Sequence, residues 1–125
     1  MILRGDETVF ASSEEGMRPL FEAITSIGLS KLEGSVVVDR IVGKAAALLV
    51  SYFKASEVHC ITLSSRARAV LEKQGIRQYW ERLTPEIMNK LGTGICPFEN
   101  AVFDVEEPEK GYERVYSKLK ALSLV

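Results

Sequence analysis

Apolar residues follow two rhythms that alternate along the chain. Met17, Leu20, Phe21, Ile24 and Ile27 recur at the three-and-four spacing of a helix with one apolar stripe, which stops near Gly28. Before it, Ile2-Leu3 and residues 8–12 flank the turn signal Gly5-Asp6 as a short hairpin. Ser12-x-x-Glu15 has the form of a capping box, but a helix begun there would hold Pro19 in its interior. The helix is therefore expected to start near Met17.

The Val-rich run within residues 34–39 predicts a strand buried on both faces, and residues 44–54 are apolar nearly all round, as in a central helix. Residues 58–63 form the next expected strand. Ser64 or Ser65 then caps a helix reaching Lys73, on which Ala67, Val70 and Leu71 oppose Arg66, Arg68 and Glu72. After the stop at Gln74-Gly75, Gln78-Tyr79-Trp80 leads to a strand near Arg82-Leu83, and Pro85 opens a short helix toward Asn89. Pro97 starts another short helix reaching about Val102, and Pro108 precedes a last one striped by Tyr112, Val115, Tyr116, Leu119 and Leu122.

Strands alternating with helices predict an α/β fold of three layers, a mixed sheet with helices on both faces. The 125 residues, 46% of them hydrophobic, fit a single domain over residues 1–125. Lys and Arg number 16 against 17 Asp and Glu, so general nucleic-acid binding and attraction to anionic membranes are not expected. No apolar run approaches the ~20 residues needed to span a bilayer and no signal-peptide core is present, which points to a cytoplasmic protein. Cys60 and Cys96 show no C-x-x-C spacing, so neither a disulfide framework nor a finger-type zinc site is indicated.

Candidate chemistry gathers at strand ends, where α/β sheets bind ligands. Lys44 falls at a helix start, beside unpaired N–H groups that carry partial positive charge, so an anion or a carboxylate must answer it. It can hold an anionic ligand group, act as a proton donor or nucleophile with Asp39 setting its charge, or form an ion pair with Asp39. A Walker loop is excluded, because Val38 and Ala45 stand where it needs Gly and Ser or Thr. Cys96 at a second helix start is a candidate activated thiol. The same placement lets the Glu99 carboxylate return to the Cys96 N–H in a capping-box-like turn. Asn89 either presents its amide to a ligand or ties down the glycine loop. His59 and Cys60 are adjacent on a strand and point to opposite faces, which argues against a shared metal.

Three segments carry a family likeness: residues 39–47, the helix start Leu63-Ser64-Ser65, and Asn89 through Glu99 with its Gly-x-Gly-x-Cys-Pro-x-Glu ending. They resemble a small bacterial and archaeal family of unknown function within the cytidine deaminase-like superfamily. In zinc deaminases the first helix start carries H-A-E or C-A-E and the second P-C-x-x-C. Here Gly43-Lys44-Ala45 replaces the first, and the likeness puts Ser64 and Ala67 where the two cysteines belong. It therefore implies a deaminase-like fold without zinc, without cofactor and often homo-oligomeric. The expected function is binding of a small anionic or nucleotide-like ligand by Asp39, Gly43, Lys44, Ser64, Asn89, Cys96 and Glu99. The alternatives are a non-zinc enzyme using Lys44 or Cys96, and a partner-binding subunit with a vestigial pocket.

Overall fold

The computed structural model describes residues 1–14, 16–89 and 91–125. Glu15 of the expected capping box and Lys90 of the glycine loop lie outside the described residues. Strands β1 (Ile2–Arg4) and β2 (Glu7–Phe10) form the hairpin, followed by helices α1 (Arg18–Ile27) and α2 (Leu29–Leu32). Then come β3 (Val36–Val38), β4 (Ile41–Val42), α3 (Lys44–Tyr52), β5 (Glu57–His59), β6 (Thr62–Ser64) and α4 (Ser65–Lys73). The chain ends with β7 (Arg77–Tyr79), β8 (Arg82–Thr84), α5 (Pro97–Ala101) and α6 (Pro108–Ala121). Pro97 and Pro108 both occupy the first helical turn, where a missing N–H costs nothing.

A five-stranded sheet runs β2-β1-β3-β5-β7, with β1 antiparallel to both neighbours and β3, β5 and β7 mutually parallel. A second, three-stranded parallel sheet runs β4-β6-β8. The two are successive halves of the same three chain segments, which bend in one row. At the bend the Arg40 carbonyl accepts from the N–H groups of both Ile61 (3.0 Å) and Thr62 (2.9 Å), and the Ile61 carbonyl from those of Glu81 (3.1 Å) and Arg82 (2.8 Å). One carbonyl facing two N–H groups is the mark of a bulge, which bends a strand and re-aims the residues beyond it. The single strand expected over residues 58–63 is thus two strands parted by Cys60-Ile61.

The fold is mixed α/β, as expected, but the helices do not cover both faces of the five-stranded sheet. Ile2, Val37 and Val58 share one row and are buried beneath the helices. On the opposite face Val38 and Tyr79 remain 38% and 48% exposed, beside a partly exposed His59. Strand order supplies the reason. Helices α1, α3 and α4 carry the chain from β2 to β3 to β5 to β7, always in one direction across the sheet. Right-handed crossovers made in one direction stack on one face.

Helix α3 is the centre of that layer, buried from Lys44 to Ser51 between the sheet, α4 and α6. Helix α6 approaches it so closely at Gly111 that a Cβ there would lie 2.7 Å from the Leu48 Cβ. Near-parallel ring stacks join Phe21 to Tyr112 and Tyr116, and Tyr112 to Tyr52, tying α1, α6 and α3 together. The helix expected from Pro85 toward Asn89 does not form. Met88 in that segment instead makes an isolated antiparallel bridge with Ile95.

Candidate functional site

The bend opens a broad cleft of about 1400 Å³ at the carboxyl ends of β3, β5 and β7. Five of the seven sequence-selected positions border it: Asp39, Gly43, Asn89, Cys96 and Glu99. Lys44 and Ser64 are buried outside its lining. The Ser64 Oγ accepts the Ala67 N–H at 3.0 Å, so its hydroxyl caps α4. The Lys44 Nζ donates to the Phe103 carbonyl at 3.0 Å and lies 3.8 Å from the Glu106 carboxylate.

A carboxylate does answer the start of α3, and it belongs to Glu99. Its Oε1 accepts the Lys44 N–H and its Oε2 the Ala45 N–H, both at 2.7 Å, with the residue only 7% exposed. The capping-box turn expected between Glu99 and the Cys96 N–H is therefore absent. The Cys96 N–H donates to the Ile87 carbonyl at 2.9 Å instead. A carboxylate held against the N-terminus of a long buried helix gains more from the helix dipole than one returned to its own short turn. Gly43 allows this approach, because a Cβ at that position would collide with the Glu99 carboxylate and with Ile87.

Burial pushes the Glu99 carboxyl above the ordinary carboxylate range, while the two backbone N–H groups and the charges of Lys44 and Arg66 pull it partway back. Arg66 reaches the Glu86 carboxylate at 3.1 Å and lays its guanidinium 4.4 Å from the centre of the Phe103 ring. Glu86 and Phe103 are thereby held against the start of α4, and Glu99 and Phe103 against that of α3.

Asn89 ties down the glycine loop. Its Oδ1 accepts the Thr93 N–H at 3.1 Å, its Nδ2 approaches the Thr93 hydroxyl at 3.3 Å, and its own N–H donates to the Gly94 carbonyl at 2.8 Å. Asp39 accepts the Arg40 N–H at 2.7 Å on Oδ1. Burial and the neighbouring Asp39 charge push the Cys60 thiol up to about 11, which leaves it protonated and unreactive near neutral pH. His59 pairs with Glu57 at 3.1 Å and stacks on Tyr79. Among the described residues no three His, Cys, Asp or Glu side chains are placed to hold a metal ion. No helix among them is long and apolar enough to cross a membrane.

The apolar lining of the cleft includes Met17, Leu20 and Ile87, none of which stands out in the sequence as a site residue, and Trp80, which with Tyr79 reads in the sequence as either a base-stacking ring or a core and edge pair. Periodicity marks them as core or edge positions and carries no sign that they meet at one opening.

A family model described as "TM1506: Domain of unknown function (DUF1893)" matches residues 1–119, and the chain belongs to that family. The crystal structure of a DUF1893 family protein, TM1506 from Thermotoga maritima, at 2.70 Å resolution, superposes with a TM-score of 0.83. Its sequence is 31% identical, over 90% of this chain and 76% of that one. No curated protein matches the chain.

Proposed function

From its membership of the DUF1893 family and the cleft above its bent strands, we propose that the chain is a small-molecule-binding protein with a zinc-free, deaminase-like fold. The carrying observation is the cleft itself. It lies at the carboxyl ends of parallel strands, where ligands bind in such sheets, and is large enough for a nucleoside-sized molecule. Apolar walls with a few convergent polar groups complete the usual make-up of a ligand site. The deaminase-like reading is supported by α3 and α4 starting side by side from adjacent parallel strands, in the segments that carry the resemblance. Zinc hydrolysis is not part of the proposal, because Gly43-Lys44-Ala45 and the Ser64 to Ala67 segment offer no metal ligand.

The anionic half of the expected ligand loses its physical basis. Lys44 is committed to Phe103 and Glu106, and the N–H groups that would hold an anion are taken by Glu99. Of the two candidate catalytic groups, Cys96 opens onto the cleft and Lys44 does not.

The test is a thermal-shift screen of nucleobases, nucleosides, nucleotides and sugar phosphates, followed by calorimetry on any hit. Trp80→Ala is expected to weaken a hit several-fold by removing a stacking wall, and Lys44→Ala to lower Tm while leaving its affinity unchanged. A library with no hit, or a hit indifferent to Trp80→Ala and to alkylation of Cys96, overturns the proposal.

A further inference from the structure

We infer that the open face of the five-stranded sheet is a self-association surface, on which a second copy of this chain seats beside the mouth of the cleft. Such a dimer forms with or without a ligand in the cleft.

The kind of sheet calls for a cover. Strands β3, β5 and β7 are mutually parallel, and parallel strands are ordinarily buried on both faces. Here the one-way crossovers place α1, α3 and α4 on one face only. No residue of the two outward rows, Val38-His59-Tyr79 and Val36-Glu57-Arg77, is fully buried, whereas Ile2, Val37 and Val58 on the inner face are.

The exposed apolar area is large enough for a dimer. Met1, Val38, Ile41, Ile61, Tyr79 and Trp80 each stand more than a third exposed, and all six border the cleft. Together they leave roughly 600 Å² in water, at the top of the range for the largest apolar patch on a monomer. Two such patches face to face remove about 1,200 Å², the size at which specific, stable interfaces begin.

The charges on the face cancel within one chain, which suits contact between identical surfaces. Glu57 holds Arg77 through Oε2 and His59 through Oε1, both at 3.1 Å, so its carboxylate meets a second copy already neutralised. A polyanion or a strongly basic partner finds no field of one sign there. A two-fold axis presents the same patch from both copies, so apolar surface meets apolar surface. Tyr79, stacked on His59 with ring centres 4.6 Å apart, supplies the kind of aromatic anchor that interfaces favour. Because Val38, His59 and Tyr79 also border the cleft, the seated copy narrows its mouth.

Sedimentation velocity on the full chain is the test. The parent is expected to run as a dimer at roughly 50 μM, within reach of an interface of this size. Val38→Lys and Tyr79→Lys each bring two like charges to the contact, and each should weaken the dimer at least roughly 100-fold while circular dichroism and Tm stay close to the parent's. Leu29→Lys, at an equally exposed apolar position on α2, should leave the dimer intact. In the parent, the Val38 methyl signals should shift on dilution and those of Leu29 should not, a reading that needs no variant to fold. A parent that stays monomeric to roughly 500 μM overturns the proposal and leaves the face to a different partner or to water. A dimer that survives both face substitutions, or one broken only by Leu29→Lys, overturns it as well.

Discussion

Helices α3 and α4 start from neighbouring parallel strands, yet their first turns are satisfied in opposite ways. Helix α4 is capped by its own preceding residue, the Ser64 hydroxyl accepting the Ala67 N–H three positions on. Helix α3 has Gly43 in that position, and the acceptor for its N–H groups arrives from Glu99, 55 residues further along the chain. The first start is a local device worth about 1 kcal/mol in most proteins. The second joins a buried charge, a bare glycine and a remote segment at the edge of the cleft, so the fold and the candidate site depend on one contact. A helix start that does not cap itself is where this molecule can link binding to stability.

Removing the remote acceptor tests that contrast most severely. Glu99→Ala leaves two buried N–H groups without a partner and is expected to cost about 3–5 kcal/mol in urea denaturation at neutral pH. A loss below about 1 kcal/mol would mean that water replaces the carboxylate without penalty. Ser64→Ala should cost about 1 kcal/mol in the same measurement, and it should leave the amide signals around Glu99 unmoved. An equal loss from the two substitutions would erase the distinction between the starts.

The smallest effect is in the pH dependence. The folded-state pKa of Glu99 is raised by burial, so the folded chain holds this proton more tightly than the unfolded chain does. Its contribution is present in full below the unfolded carboxylate pKa and is lost as pH climbs through the raised folded value. Stability of the parent should therefore fall relative to Glu99→Gln as pH rises across that window. The Ser64 cap has no group that titrates there and should show no such slope. A parent and variant with parallel pH profiles would place Glu99 in a better solvated setting than its burial indicates.

Local interactions were legible along the chain because each is completed within a few residues. The hairpin at Gly5-Asp6, the end of α1 at Gly28, the Ser64 cap, and the starts at Pro97 and Pro108 all depend on backbone geometry or a side chain reaching one turn away. Even the need for a negative partner at the start of α3 was readable, since it follows from the dipole and the residue type. Which carboxylate would supply it was not. Asp39 is near in sequence, but Glu99 is the one that packing delivers. The shared bend of three strands carries no proline or glycine to announce it, for it arises when each strand adjusts to its neighbour. The open face of the sheet follows from strand order, which alternation of elements leaves undetermined. What a turn of chain can satisfy by itself, the sequence determines; the cleft and the burial of Lys44 required distant segments to meet, and only the tertiary structure decides where they do.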